Sequence, residues 1–209
     1  MKHFPSIKHC SEPLPSCYAF IKYDGSNIRA EWSKKQGWYK FGSRWQLLGD
    51  PKLEPAIELF KNKYGDDLHK VFTTSKTFRY SDRVIVYSEW FGAKSFAGQH
   101  FDDDPKDIVL FDVNPMKKGF LGPKEFLDEF GHLKVAELVF QGDMTDEFIN
   151  DVRKDKLVFR SKYEIASEVP EGILCKGGRG HKLWMCKIKH KSYLDELKRR
   201  IPVGWEKFV

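Results

Sequence analysis

The sequence lacks the cysteine pairs that mark zinc modules. It contains four cysteines, and no two of them form a C-x-x-C pair, the spacing typical of structural zinc sites. His3 and His9 lie close to the first two cysteines in sequence, but their spacing matches no common zinc module. We therefore expect no structural zinc and four free thiols in a reducing compartment. The cysteines are Cys10, Cys17, Cys175 and Cys186.

Long apolar runs are also missing. A membrane-spanning helix needs about 20 consecutive apolar residues, and the opening residues MKHFPSIKHC contain no apolar stretch of the kind found in secretion signals. The sequence has no internal repeat, low-complexity tract or Pro/Ser-rich linker. It therefore predicts a cytoplasmic protein (in the host cytosol if the source is a phage or a virus) without a membrane partner, folded as a single domain over residues 1–209.

The charge of the chain is modestly basic. There are 36 Lys+Arg against 30 Asp+Glu, which gives a formal net charge of +6. A basic surface attracts polyanions such as nucleic acids, and an aromatic-rich surface suits stacking on bases. The excess is small for a chain of this length, so it permits a nucleic-acid partner without identifying one.

Strand patterns dominate over helix patterns. The mixture predicts an α+β fold built on antiparallel sheets with flanking helices. Segments rich in apolar, β-branched and aromatic residues predict strands at Tyr18–Tyr23, Asn27–Trp32, Trp38–Phe41, Arg83–Phe91, Asp107–Val113, Leu133–Phe140, Glu171–Lys176 and Lys182–Lys189. Helical patterns predict helices at Leu53–Tyr64, Gly122–Phe130, Thr145–Lys154 and Ser192–Arg200.

A lysine stands at the end of the first predicted strand, directly before a polar turn. Lys22 is followed by Tyr23, Asp24, Gly25 and Ser26. A lysine amine attacks phosphorus when its pKa falls well below the ordinary ~10.4, and burial and neighbouring cations lower it. By itself, the pattern also fits a lysine that is simply exposed to solvent at the end of a strand.

The segment Lys22–Asn27 resembles the K-x-D-G motif of the covalent nucleotidyltransferase superfamily, which contains ATP-dependent DNA ligases, RNA ligases and mRNA capping enzymes. Other segments resemble further motifs of this superfamily, and they follow one another in the same order. Because the matches extend over residues 22–189, the resemblance covers nearly the whole chain. They are Ser43-Arg44, Tyr87–Gly92, Leu110–Val113, Glu171–Leu174 and Lys187–Lys189.

The resemblance implies a nucleotidyltransferase (adenylation) domain and assigns roles to individual residues. Lys22 would attack the α-phosphate of ATP and carry AMP, and Lys187 and Lys189 would complete the catalytic set. These two lysines alternate on one strand, so both face the same side, where they suit a triphosphate and would lower the pKa of Lys22. Without the other motifs, the exposed face of an amphipathic strand is the favoured interpretation of these two lysines.

The same resemblance implies an ATP-binding set. Phe111 would stack on adenine, Glu89 would accept hydrogen bonds from the ribose, and Arg44 would reach a phosphate. By position alone, Phe111 is also a plausible core residue, and Arg44 a surface residue. The full predicted ATP-binding set is Ile21, Asp24, Gly25, Asn27, Arg44, Glu89, Phe111 and Glu171.

Glu171 is also the predicted metal ligand. Phosphoryl transfer needs a divalent cation, Mg²⁺ or Mn²⁺, and hard carboxylate oxygens suit it; the alternative for Glu171 is an ordinary carboxylate in a turn. Lys176 and Arg179 lie near it in sequence and are predicted to contact nucleic acid. The basic residues Lys187–Lys191 and Lys198–Arg200 are further candidates, with a solvated helix face as the alternative.

Two features favour an RNA ligase over other members of the superfamily. Asn27 stands where DNA ligases usually carry arginine, and Ser26-Asn27 after Asp24-Gly25 looks more like the RNA ligases. Only 20 residues follow Lys189, too few for an OB domain, so we expect no OB domain. The basic tail, the domain's own surface or a protein partner would bind the strand in its place. The alternatives are a DNA ligase, a capping-type enzyme and a non-catalytic nucleic-acid-binding module of the same fold.

Overall fold

The computed structural model describes residues 3–44, 53–93, 105–163 and 170–208. Two β-sheets form its frame. One has five strands in the order β1-β9-β8-β2-β7, and the other has four in the order β4-β3-β5-β6. The strands are β1 Lys8–His9, β2 Leu14–Lys22, β3 Ser26–Ser33, β4 Gly37–Ser43, β5 Arg83–Phe91, β6 Asp107–Pro115, β7 Leu138–Met144, β8 Gly172–Gly177 and β9 Trp184–Lys189.

Four α-helices accompany the sheets, at Glu54–Thr74 (α1), Pro123–Phe130 (α2), Asp146–Arg153 (α3) and Lys191–Arg200 (α4). Pro123 begins α2, where its fixed backbone angle fits and its missing N–H costs nothing. Thr145 caps α3 by accepting a hydrogen bond from the Phe148 amide at 3.1 Å. No helix within the described residues is long and apolar enough to cross a membrane.

The predicted α+β fold on antiparallel sheets is confirmed, and each predicted helix and strand corresponds to an observed one. Some bounds differ. Helix α1 continues to Thr74 because its buried face extends through Leu68 and Phe72. Strand β7 begins only at Leu138; the preceding chain meets β6 through an isolated bridge at Val135.

Apolar side chains fill three layers. One cluster lies between the four-stranded sheet and helices α1 and α2, around Trp32, Phe60 and Phe130. A second lies between the five-stranded sheet and α3, around Ile149 and Ile173. A third joins the two sheets: Phe20 and Ile21 of β2 pack with Phe91 of β5 and Val109 of β6. This third cluster holds the two sheets face to face, and the candidate site lies between them.

The expectation of four free thiols is wrong for two of the cysteines. Cys10 and Cys186 form a disulfide, whereas Cys17 and Cys175 are free and buried. Strand β1, which the sequence analysis did not predict, pairs in parallel with β9 and brings residues 176 positions apart into contact. Sequence spacing carries no information about such a long-range pairing, so the pattern of cysteines could not predict it.

Candidate functional site

The candidate site lies where β2, β8 and β9 run side by side. Lys22, the last residue of β2, is opposite Gly172 of β8, and Gly172 is opposite Lys189 of β9. The Glu171 carboxylate accepts hydrogen bonds from Lys22 Nζ and Lys189 Nζ, each at 2.7 Å. Glu171 and Lys189 are buried, whereas the Lys22 side chain remains 28% exposed. One carboxylate therefore holds two of the three predicted catalytic lysines, and the Lys22 side chain remains accessible to solvent.

Two glycines make this close packing possible. A Cβ on Gly172 would lie 2.1 Å from the Ile188 carbonyl oxygen, and its φ of +144° disfavours other residues. A Cβ on Gly25 would lie 2.4 Å from the Trp90 carbonyl oxygen. Both glycines are therefore required because another part of the backbone comes too close for a side chain. At Gly172 this is the neighbouring strand β9, and at Gly25, in the β2–β3 turn, it is strand β5.

Asp24 is fixed by a residue that sequence reasoning missed. Its Oδ1 accepts a hydrogen bond from the Tyr193 hydroxyl at 3.1 Å, and both residues are buried. The Lys189 ammonium lies 4.9 Å from the Tyr193 ring centroid, within the range of a cation–π contact. No local sequence signal distinguishes Tyr193 within the predicted helix Ser192–Arg200, because its contact with Asp24 arises only when α4 packs against the β2–β3 turn.

Asn27 and Glu89 face each other on neighbouring strands beyond the turn. They are Cα partners in the β3–β5 pairing. The Asn27 Oδ1 atom is buried and has no hydrogen-bond partner among the described residues. Buried polar atoms are nearly always satisfied, so this oxygen is suited to accept a hydrogen bond from a ligand.

Carboxylates dominate the electrostatics of Lys22. Burial lowers its pKa, but Glu171, Glu89 and Asp24 together outweigh burial and raise the pKa above the ordinary value. The prediction that Lys187 and Lys189 lower this pKa is wrong, because the three carboxylates near the amine determine the direction of the shift. Lys22 is therefore a protonated ammonium in this state, paired with the Glu171 carboxylate.

Glu89 and Lys187, both near Lys22, also have displaced pKa values. Burial raises the pKa of Glu89 to about 8; Lys22 acts in the opposite direction, whereas Glu171 and Asp24 raise it further. Burial, reinforced by the charges of Lys189 and Lys22, lowers the pKa of Lys187 to about 8. Both groups therefore change charge near neutral pH, a feature often found at functional sites.

The raised pKa of Glu89 predicts a pH-dependent stability. Between the unfolded value of 4.5 and the folded value of about 8, the folded protein binds more protons at this position than the unfolded chain does. Its contribution to the free energy of unfolding therefore falls as pH rises through this window and is constant above it. Urea denaturation at pH 5.5, 6.5, 7.5 and 8.5 should show that the free energy of unfolding falls with pH in wild type and falls less in Glu89→Gln. If it changed equally with pH in both proteins, the prediction would be contradicted.

Phe111, Arg44 and Ile21 occupy different surroundings. The half-buried Phe111 ring meets the ring of Phe4 edge to face, with centroids 5.0 Å apart. Arg44 follows β4, lies 3.4 Å from the Ser6 hydroxyl, and is close enough to lower the pKa of Glu89 electrostatically. The Ile21 side chain is buried in the layer between the sheets, so it supports the site and presents no polar group to it.

The position of Lys176 does not support the predicted contact with nucleic acid. Its side chain is 4% exposed and pairs with Asp112 at 2.8 Å, while it also donates to the Phe111 carbonyl oxygen at 2.9 Å. Arg179 is exposed in the β8–β9 connection and stays a candidate. In α4, Arg199 and Arg200 both pair with Glu196, at 2.5 and 2.6 Å, which reduces the positive charge available to a phosphate.

The carboxylates do not form a ready-made metal cage. Among the residues that the structure describes, only Cys10, Cys175 and Cys186 bring three potential metal-ligand atoms close together, and two of these cysteines form the disulfide. Magnesium is usually held by one or two carboxylates together with substrate phosphates and water. Glu171, with Glu89 and Asp24 nearby, fits that mode, whereas a site made of protein ligands alone would not fit.

Comparison with solved structures identifies the fold. No protein-family model matches the sequence, and no curated protein matches it. A Naegleria gruberi RNA ligase mutant with ATP and Mn aligns with 87% of this chain at a TM-score of 0.61 and 14% identity. The same ligase with PPi aligns with 88% at 0.64 and 16%, and an apo mutant aligns with 94% at 0.64 and 15%.

The chain has the fold of an RNA ligase nucleotidyltransferase domain. In these three alignments it spans 51%, 52% and 60% of the Naegleria chains. The TM-scores of 0.61 and 0.64 show the fold, whereas the sequence identity of 14–16% is too low to show the reaction, which has to be argued from the residues. The residues that the sequence analysis selected do meet: Lys22, Asp24, Glu89, Glu171 and Lys189 surround one point between the two sheets.

Proposed function

We propose that the protein is an ATP-dependent polynucleotide ligase that acts on RNA through a lysyl-AMP intermediate. The observation that carries this proposal is the Glu171 carboxylate between Lys22 and Lys189, with both distances 2.7 Å. A binding module has no need for a partly exposed lysine held among three carboxylates. The fold similarity to an RNA ligase whose structures contain ATP, AMP and Mn supports the same reading.

In the first step, the neutral amine of Lys22 attacks the α-phosphorus of ATP. A P–N bond forms, the bond to the β-phosphate oxygen breaks, and pyrophosphate leaves. Lys187 and Lys189 lie on the same strand as alternate residues, so their charges suit the phosphates and the negative charge that develops during transfer. Asn27 Oδ1, which has no hydrogen-bond partner among the described residues, and the neighbouring Glu89 would accept hydrogen bonds from the nucleotide.

A divalent cation, Mg²⁺ or Mn²⁺, would be held by Glu171 and the phosphates, and it would neutralise negative charge there. The pKa of Lys22 is raised by Glu171, Glu89 and Asp24. Neutralising any of these carboxylates would therefore lower the pKa of the Lys22 amine. Glu171 consequently has two roles in the proposal: it positions Lys22 before the reaction and binds the cation during it.

Two further steps would complete the ligation. A 5′-phosphate oxygen attacks the phosphorus of lysyl-AMP, the P–N bond breaks, and the amine regains a proton. A 3′-hydroxyl then attacks the activated 5′-phosphate, and AMP leaves as the strands join. Ser26 and Asn27, in the RNA ligase pattern, favour RNA as the strand, and the exposed Arg179 is a candidate contact to its phosphates.

The proposal is tested by incubating purified protein with Mg²⁺ or Mn²⁺ and α-labelled ATP, in parallel with α-labelled GTP. We expect label from ATP that survives denaturation and a mass increase of one AMP. Nicked RNA and nicked DNA duplexes with 5′-phosphates then decide the substrate. Label from GTP alone would instead indicate a capping-type enzyme. Absence of label and of added mass with both nucleotides would favour a binding module.

A further inference from the structure

The residues before β2 cross from one sheet to the other. We call residues 3–10 the strap. Its strand β1 pairs in parallel with β9, and the Cys10 amide donates to the Lys187 carbonyl oxygen at 3.0 Å. At its other end, His3 hydrogen-bonds the Arg44 carbonyl oxygen and the Ser6 hydroxyl meets the Arg44 guanidinium. The strap therefore joins the five-stranded sheet to the end of β4 in the other sheet, beside the candidate site.

Phe4 anchors the strap among aromatic rings between the sheets. Its ring centroid lies 5.1 Å from Tyr87, 5.0 Å from Phe111 and 5.4 Å from Phe120, and the residue is 9% exposed. Met185 of β9 packs against the same cluster. Burial of this ring in the apolar cluster holds Phe4 against Phe111.

This packing competes with the base of a bound nucleotide. The proposed function assigns adenine stacking to Phe111, and the present inference rests on that assignment. Phe4 at 5.0 Å and Tyr87 at 6.4 Å both contact the Phe111 ring. Tyr87 is fully buried within the central strand β5, whereas Phe4 lies outside regular secondary structure. Phe4 is therefore the ring that must move before adenine can stack.

A covalent bond holds the strap against β9. Cys10 follows β1 directly, and its disulfide partner Cys186 precedes Lys187 in β9. Besides this bond, β1 pairs with β9 through only two residues, Lys8 and His9. Short edge segments of this kind open locally at low free-energy cost. The disulfide is thus the strongest restraint on the β1 end of the strap, where backbone pairing is short.

We propose that the strap is a redox-controlled cover of the adenine site, in which Phe4 blocks stacking on Phe111 while the Cys10–Cys186 disulfide is closed. A dithiol reductant opens it by thiol–disulfide exchange. One reductant thiolate attacks a sulfur of the pair and breaks the S–S bond, and the second thiolate resolves the mixed disulfide. Two electrons and two protons pass to Cys10 and Cys186, and the reductant becomes a disulfide.

The test compares initial rates of labelling by α-labelled ATP in oxidised protein and in protein treated with dithiothreitol, with the thiols counted by alkylation and mass. We expect the reduced wild type to label at least about fivefold faster. Cys10→Ser should label at the fast rate in both conditions. Cys17→Ala is the matched control, because Cys17 is a buried free thiol; its response to reductant should equal that of wild type.

The variant Phe4→Ala tests whether Phe4 blocks the adenine site or only supports the structure around it. If Phe4 blocks the site, oxidised Phe4→Ala labels as fast as reduced wild type; slower labelling in both states would show that Phe4 supports the base and would overturn the proposal. Equal rates for oxidised and reduced wild type would also overturn it, while leaving the ligase proposal intact. If no form labels and none carries AMP, both proposals fail.

Trypsin provides a second measurement that does not depend on turnover. Lys8 is exposed but lies in β1, where pairing with β9 protects the backbone from cleavage. In reduced protein, ATP should accelerate cleavage after Lys8, because adenine displaces Phe4 and releases the strap. Oxidised protein should show no such acceleration. If ATP accelerated this cleavage equally in oxidised and reduced protein, the proposed redox control of the strap would be contradicted.

Discussion

Replacing Lys22 with arginine is expected to reduce the rate of covalent labelling by the nucleotide at least about 1,000-fold. Arginine keeps the positive charge and can still pair with Glu171, so the carboxylate does not lose its partner. It cannot lose a proton in a protein, so it offers no nucleophile to the α-phosphorus. Rates of label incorporation from α-labelled ATP, measured under denaturing conditions, provide the readout.

The matched control for this substitution is Lys35→Arg. Lys35 is exposed in the β3–β4 connection, so the same chemical change there should leave labelling unchanged. Equilibrium binding of ATP separates chemistry from binding, because Lys22→Arg should still bind the nucleotide. Label that persists in Lys22→Arg would show that another residue is the nucleophile. Lys187, whose pKa is lowered to about 8, would then be the first to replace.

Asp112→Asn is expected to have the largest effect on stability, with a loss of about 3–5 kcal/mol in the free energy of unfolding. Asp112 and Lys176 form an ion pair at 2.8 Å in which the side chains are 1% and 4% exposed. Asparagine preserves the shape but leaves the Lys176 charge buried without a counter-charge. Urea denaturation followed by tryptophan fluorescence measures the change.

The matched control for the buried pair is Asp128→Asn. Asp128 pairs with Lys124 at 2.7 Å, close to the 2.8 Å of the buried pair, but the Asp128 and Lys124 side chains are 61% and 73% exposed. Exposed pairs on a helix contribute about 0.3–0.5 kcal/mol, so this variant should remain close to wild type. A change for Asp112→Asn as small as that of the control would mean that Lys176 loses its proton or finds another acceptor.

The buried pair also shows where sequence reasoning failed. Lys176 was grouped with Arg179 because both follow Glu171 closely. Strand alternation places Lys176 on the face that meets the other sheet, where Asp112 accepts its charge, whereas Arg179 lies past the end of β8. A list of basic residues could not distinguish the two, since the difference lies in a partner 64 residues away.

Local patterns determined much of this protein. The spacing of apolar residues predicted the helices and nearly all the strands, because burial on one face imposes periodicity on the sequence. Thr145 and Pro123 marked helix starts through backbone hydrogen bonding and geometry. The glycines of the two motifs were visible as well, and the close backbone approach at Gly25 and Gly172 explains why no other residue fits there.

Tertiary structure alone decided the electrostatics of the site and the contacts of the strap. The raised pKa of Lys22 depends on carboxylates contributed by the turn after β2, by β5 and by the residue before β8. The Tyr193–Asp24 bond and the Cys10–Cys186 disulfide join residues 169 and 176 positions apart. Sequence patterns reflect how each segment buries its own apolar face, whereas these contacts arise only when distant segments pack against one another.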